Sequence, residues 1–372
     1  MADAQPALHY ASLLPGDPVP WLIVRGSNNP EFKLSTIGGR YTLLGFFMSA
    51  ADPASVQAIA ALEARRDLFN DDKLAFFGVS CDPEDDGRVT QIVPGYRYFF
   101  DFDGQMSRAY GILPKDGGRT ARRMWLVLDP DLRVRAVFPF RHDGANLDEL
   151  LKYLEALPPV GLASGTEIQA PVLYLPRVFE PEFCQQLIAQ YDAAGGTSSG
   201  FMREVDGKTV VVNDTSHKVR KDHVIEDARI IRAIQARVQR RIVPEILKIH
   251  NFDATHMERY LVGCYTAEDG GHFQPHRDNT TKGTAHRRYA VSINLNNDFE
   301  GGELNFPEYG SRPFKPPVGG AVVFSCALMH MVTRVTQGRR YAFLPFLYDE
   351  AASRLRAENN PFLADETLHY RG

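Results

Sequence analysis

Residues 270 to 278 read Gly-Gly-His-Phe-Gln-Pro-His-Arg-Asp, which puts two ligand-type side chains, His276 and Asp278, at positions i and i+2. On an extended segment that spacing sends both to the same side, where they can share one ion. The pair alone is a weak signal, because a chain with 11 histidines yields about one His-x-Asp by composition. Its company strengthens it. A second histidine, His330, stands downstream between two apolar, strand-like runs, 321–324 and 331–335. Two imidazoles and a carboxylate form the facial set that leaves neighbouring coordination positions open on non-haem Fe(II). Zinc takes the same donors in a tetrahedral site, so these ligands alone do not separate the two metals.

The separating feature is Arg340, in Gly338-Arg339-Arg340-Tyr341 on the strand after the distal histidine. A guanidinium grips a carboxylate through two parallel hydrogen bonds. Aimed at a metal pocket it has no purpose in a structural zinc site, but it suits the distal carboxylate of 2-oxoglutarate. Strand alternation turns Arg339 to the other face.

From Met257 to Tyr348 the chain reads as short strands punctuated by glycine, proline and asparagine, the pattern of a sandwich or jelly roll. Residues 179–191 and 228–249 read as helices before it. The first 160 residues alternate instead. A buried strand at 41–48 (YTLLGFFM), a helix opened by Pro53, a second buried strand at 74–80 (LAFFGVS), a helix near 104–110, strands at 124–128 and 132–138 and a closing helix at 146–157 make an α/β domain. The segment Pro158 to Gly165, with paired prolines and small residues, is the best linker, so the expected domains are 1–160 and 161–372.

A 372-residue chain exceeds the usual size of a single core, and 44% apolar with 24% charged residues is a globular composition. The net charge of −4 divides as 17 basic and 21 acidic groups in residues 1 to 160 and 25 of each beyond. Neither part is a basic module, which disfavours nucleic acid as a partner; Arg237, Arg240 and Arg241 read as a solvated helix face. Cys81, Cys184, Cys264 and Cys326 are scattered through apolar stretches and read as reduced, packed thiols. No run approaches about 18 apolar residues and no signal-peptide pattern opens the chain, so no membrane association and a cytoplasmic location are expected.

Residues 257 to 348 resemble the prolyl 4-hydroxylase-like 2-oxoglutarate/iron oxygenases. The resemblance runs through Tyr265, the turn Gly270-Gly271-His272-Phe273, Pro275-His276-Arg277-Asp278, Asn294-Leu295-Asn296, Glu300-Gly301-Gly302-Glu303-Leu304, the Pro317 to Phe324 strand, His330 and Arg340. It implies a double-stranded β-helix with iron at one open end, held by His276, Asp278 and His330. It also implies 2-oxoglutarate on Arg340, dioxygen, ascorbate as an accessory, and a hydrogen bond from Tyr265 in the co-substrate pocket. Many relatives carry tyrosine where this chain has Asn294, which stands as a further co-substrate-binding candidate. His272 and His286 lie off the motif's spacing and read as surface residues, and Gly301 and Gly302 as a turn.

The first domain resembles the peroxiredoxins, which implies a thioredoxin fold. Ser55 falls where the peroxidatic cysteine should stand and Asp52 where a threonine is expected. A serine hydroxyl does not become a thiolate-like nucleophile, so peroxidase chemistry should be absent. That leaves a scaffold, for substrate docking or for pairing subunits as a homodimer. The stretch Gly195 to Asp222 reads either as a mobile lid over the site or as an ordinary hairpin through Val205-Asp206-Gly207-Lys208. The activity expected is hydroxylation of a C–H bond, in a prolyl residue of a peptide or protein or in a free amino acid or small metabolite. Two rivals are an oxygenase domain that has lost turnover and serves as a scaffold, and a redox protein working through the thioredoxin-like half.

Overall fold

The computed structural model describes residues 9–371. The expectation about targeting signals falls partly on residues 1–8, outside the described residues. By its contacts the chain divides into a first unit, Met1–Gln169 with Pro307–Gly310, and a second, Ala170–Phe306 with Ser311–Gly372.

The first unit contains strands β1 (Ile23–Gly26), β2 (Asn29–Lys33), β3 (Tyr41–Met48), β4 (Leu74–Ser80), β5 (Tyr96–Phe100), β6 (Met124–Leu128) and β7 (Val134–Pro139). Helices α1 (Pro53–Ala64), α2 (Gln105–Ala109) and α3 (Leu147–Glu155) connect or close them. One seven-stranded sheet results, ordered β2-β1-β5-β4-β3-β6-β7, with β3, β4 and β5 parallel at its centre. The buried runs of β3 and β4 send alternate residues to opposite faces. Leu43, Phe47 and Phe76 join Leu62 of α1 and Leu150 of α3, while Leu44, Phe46 and Phe77 join Met106 of α2. Gly45 and Gly78 pair across the two strands, because a Cβ there would enter the rings of Trp125 and Tyr98. Strands β1, β2 and β5 went unread in the sequence.

The second unit opens with β8 (Leu173–Leu175), α4 (Pro181–Ala194), β9 (Thr197–Ser198), β10 (Phe201–Val205), β11 (Lys208–Val212), β12 (Lys218–Val219) and β13 (Lys221–Val224). Helices α5 (Ala228–Arg241) and α6 (Val243–His250) follow, then β14 (His256–Glu258), β15 (Leu261–Thr266), β16 (His272–His276) and β17 (Tyr289–Asn294). It ends with β18 (Phe299–Gly301), β19 (Leu304–Asn305), β20 (Ala321–Ser325), β21 (His330–Val332), β22 (Val335–Phe343), β23 (Phe346–Tyr348) and α7 (Glu350–Glu358). A large antiparallel sheet has the spine β14-β23-β17-β22-β15-β13-β9, and a small one runs β12-β16-β21-β19. The architecture is thus a thioredoxin-fold domain followed by a double-stranded β-helix with supporting helices. Apolar faces of α4, α5 and α6 pack through Leu187, Ile234, Val238 and Ile246 onto Val262, Ile293 and Phe343 of the large sheet.

Several sequence expectations are corrected. Residues 228–249 form two helices, because Pro244 lacks an N–H and its ring crowds the preceding turn, so α6 restarts with proline in its first turn. Arg237 and Arg241 are no free solvated face: both pair with Glu180, at 2.6 and 2.5 Å. His272 and His286 are buried, not on the surface. Burial is tolerated because protein groups replace water around them. His272 Nδ1 lies 2.8 Å from the Gly270 carbonyl, and His286 Nε2 lies 3.1 Å from Glu258 Oε2, though without hydrogen-bond geometry. Between Val205 and Lys208 the chain does form a tight hairpin, with Asp206 and Gly207 both at positive φ. All four cysteines are free thiols, and burial pushes each one's pKa upward.

Candidate metal centre

His276, at the end of β16, pairs directly across the small sheet with His330, the first residue of β21. Beyond β16 the chain turns, and the Asp278 amide donates to the Cys326 carbonyl at 3.0 Å, which fixes the aspartate beside the two rings. Asp278 Oδ1 lies 3.5 Å from His276 Nε2, and its Oδ2 lies 3.3 Å from His330 Nε2. One donor atom from each of the three residues falls within 4.8 Å of the others.

Backbone carbonyls set the tautomers. His276 Nδ1 donates to the Gln274 carbonyl at 2.8 Å, and His330 Nδ1 to the Leu328 carbonyl at 3.1 Å. A carbonyl only accepts, so each Nδ1 carries the ring proton and each Nε2 turns a lone pair to the centre. The Phe273 ring stacks on His276 at 3.5 Å between centroids, and Phe324 packs on His330 at 4.6 Å. Burial, helped by His276, pushes the His330 pKa down to about 4, keeping that ring neutral. Neutral imidazoles beside an ionised carboxylate are the ligand state a divalent metal needs.

Arg340, Tyr265 and Asn294 form a second cluster. Arg340 on β22 lies directly opposite Tyr265 on β15, with its guanidinium carbon 5.6 Å from the ring centroid. It is 2% exposed. Its Nε and Nη2 donate to Asn294 Oδ1 at 3.1 and 3.0 Å, and Nη2 also to Ser292 Oγ at 2.8 Å. Its Nη1 is buried with no partner. A buried guanidinium donor left open is costly unless something fills it, and a carboxylate is its natural complement. Asn294 spends its amide on holding Arg340 and on a 3.0 Å bond to the Pro316 carbonyl. Arg339 is exposed, as alternation requires.

Two residues escaped the sequence reading. Arg220, after β12, makes a buried two-pronged ion pair with Asp222, at 2.6 and 2.7 Å, and donates to the Tyr265 oxygen at 3.3 Å. Lys218 Nζ donates to Ser199 Oγ and the Gly200 carbonyl and lies 5.1 Å from the Phe273 ring. Burial first, then repulsion from Arg220, pushes its pKa down to about 5, while Asp222 and Asp278 pull the other way. The available signal was parity: in Lys218-Val219-Arg220-Lys221-Asp222, alternate charged residues face one side of an extended segment.

Residues 258–348 match the 2OG-Fe(II) oxygenase superfamily. Residues 15–137 match the AhpC/TSA family. Among solved structures the chain is similar to a prolyl hydroxylase of Trichoplax adhaerens in complex with a hypoxia inducible factor oxygen degradation domain peptide fragment. That likeness is 20% identical, covers 56% of this chain and 95% of that one, and has a TM-score of 0.41. A Pseudomonas putida prolyl-4-hydroxylase is 14% identical over 51% of this chain and 96% of its own, with a TM-score of 0.38. A reduced Plasmodium vivax 2-Cys peroxiredoxin is 21% identical over 38% of this chain and 94% of its own, with a TM-score of 0.32. The 2OG-Fe(II) oxygenase superfamily implies iron(II) and 2-oxoglutarate. The residues present suit both: a His-Asp-His set whose Nε2 lone pairs face one point, and a guanidinium with an unspent donor. Among the described residues no helix is long and apolar enough to cross a membrane.

Proposed function

We propose that residues 161–372 form an iron(II)- and 2-oxoglutarate-dependent dioxygenase domain that hydroxylates a C–H bond. His276, Asp278 and His330 are its metal ligands, and Arg340 receives the co-substrate's distal carboxylate. The observation that carries this reading is the meeting of three preset donors on one point, in the same unit as a buried guanidinium with one open N–H.

When bound, iron and 2-oxoglutarate supply the oxidising power, taking up dioxygen and releasing succinate and carbon dioxide as the substrate gains a hydroxyl. The chain's own residues prepare the site. Gln274 and Leu328 carbonyls hold both imidazoles with Nε2 free. Ser292 and Asn294 hold Arg340 so that Nη1 alone faces the co-substrate. Phe273, Phe306 and Phe324 line the histidines with apolar surface and keep water from the reacting atoms.

The substrate read for this site is a prolyl residue in a peptide or protein, with a free amino acid or small metabolite as the alternative and ascorbate as accessory reductant. Residues 195–222 would cover it, the hairpin β10–β11 presenting exposed Val205 and Val211. Residues 1–160 serve as a peroxiredoxin-like scaffold for docking or for homodimer pairing, and the four free thiols favour a reducing, cytoplasmic setting. Anaerobic addition of iron(II) and 2-oxoglutarate tests the core of this reading. A visible metal-to-ligand charge-transfer band is expected, and its absence from correctly folded protein would refute the assignment. A screen for succinate release over peptide and metabolite pools then separates the two substrate classes.

A further inference from the structure

Tyr265 is buried, and its oxygen has one hydrogen-bond neighbour among the described residues, Arg220 Nη1 at 3.3 Å. A guanidinium can only donate. The phenol oxygen is therefore the acceptor, and its own proton is left to be given elsewhere. Tyr265 stands directly opposite Arg340, whose Nη1 is the other uncommitted buried donor of this cluster. A carboxylate offers acceptors to both.

Arg220 is itself unavailable to such a ligand. Asp222 takes its Nε and Nη2, Ser199 Oγ lies 3.3 Å from Nη2, and Arg259 approaches Asp222 at 3.7 Å. Gly263, on the same strand as Tyr265 and two residues before it, leaves room for the Arg220 side chain; a Cβ there would stand 3.0 Å from Arg220 Cδ. Tyr265 thus lies between two guanidiniums, one 5.7 Å and the other 5.6 Å from its ring centroid. The first is paired with Asp222, which leaves Arg340 as the guanidinium with an unspent donor for a carboxylate.

We infer that Arg220 is a positioning residue for the co-substrate: by donating to the Tyr265 oxygen it directs the phenol proton toward the space beside Arg340 Nη1. This rests on the proposed 2-oxoglutarate site. It adds that segment 195–222, which carries Arg220, helps to shape the co-substrate pocket as well as to cover substrate.

The test is calorimetric titration of 2-oxoglutarate into full-length protein loaded with Mn(II), which reads binding without turnover. Tyr265→Phe is compared with Arg220→Gln/Asp222→Asn, a paired change that removes both charges of the buried pair together. Each should weaken binding roughly tenfold, the scale of one hydrogen bond to a charged group, and the triple variant should be no weaker than either, because both remove the same bond. Mn(II) affinity should stay unchanged. Full additivity, or wild-type binding by the paired variant, overturns the inference. If the paired variant does not fold, Gly263→Ala displaces the same guanidinium. It must weaken binding in the wild-type background and leave the Tyr265→Phe protein unaffected; any other pattern overturns the inference. Arg340→Met separates the two levels: wild-type affinity in that variant would sink the 2-oxoglutarate site itself, whereas lost affinity there with failure of the Arg220 pattern sinks only the positioning role.

Discussion

Each unit holds a small polar cluster built round an arginine, and the two differ in what is left unspent. In the first unit Arg123 Nη1 approaches Ser55 Oγ at 3.2 Å and Asp52 Oδ1 at 3.3 Å, Nη2 lies against His142, and the guanidinium sits over Phe140. Ser55 Oγ donates to the Phe47 carbonyl, and Asp52 caps α1 through the amides of Ala54 and Ser55. Nothing there is waiting for a partner. In the second unit the two histidine Nε2 atoms converge on the Asp278 carboxylate, and Arg340 Nη1 is buried without a partner. A closed polar cluster contributes to folding, and an open one costs stability that a ligand can return.

That contrast can be broken most decisively at Asp278. Asp278→Ala should abolish the anaerobic charge-transfer band and 2-oxoglutarate turnover while the circular dichroism spectrum stays intact; a surviving band would show that the open cluster is not the metal site.

The next largest effect belongs to a closed cluster in the second unit, which asks whether closure rather than location decides the role. Glu258 is buried against Arg287 and Arg356, both at 2.7 Å. Burial opposes its charge, yet Arg287, His286 and Arg356 prevail and hold its carboxyl below the ordinary 4.5. Because the folded pKa lies below the unfolded one, the stabilisation is complete above about pH 4.5 and is lost as pH falls toward the lower folded value. Glu258→Gln should cost about 3–5 kcal/mol near neutral pH, the usual result of stranding buried charges, with a shallower acid limb. Denaturant melts between pH 3 and 7 would expose a failure.

Arg340→Met sharpens the comparison from the other side. It should weaken 2-oxoglutarate binding by roughly 10- to 100-fold, from the ~1.5–3 kcal/mol of a charge-assisted hydrogen bond, and lower thermal stability only modestly, because an unpaired buried donor disappears while Asn294 Oδ1 and Ser292 Oγ lose theirs. A large fall in melting temperature would contradict this. The smallest effect is expected from Ser55→Cys. With Arg123 already paired to Asp52, the new thiol gains little help in ionising, and peroxide consumption should remain at background. Measurable turnover would mean the first cluster is less closed than its hydrogen bonds indicate.

Strand parity made much of this legible in advance. Arg340 inward with Arg339 outward follows from alternation, and the apolar runs of β3 and β4 declared a sheet covered on both faces, whereas Asp278 reaches His276 through the turn after β16. Other features lacked a local signal. A lone histidine does not announce its burial, and the distant groups that meet these two, the Ser216 carbonyl at His272 and the Glu258 carboxylate at His286, arrive only with the fold. Arg220 looked like one more charge in a polar stretch, since its partner Tyr265 arrives only when β13 pairs with β15. Strand β5, with Arg97 inside its aromatic run, lacks the uninterrupted apolar pattern of its neighbours.

The direct pairing of His276 with His330 reaches beyond coordination. Strand β21 is three residues long, and its ladder with β16 is irregular between Phe273 and His276. An ion held by both rings would act as a clasp on a weak seam, and slipping the ladder by one residue would turn an imidazole away and release it. Loading the centre should then raise the melting temperature with metal concentration and slow amide exchange most along these two strands, so that the same atoms that ready the site for oxygen also lock the middle of the small sheet.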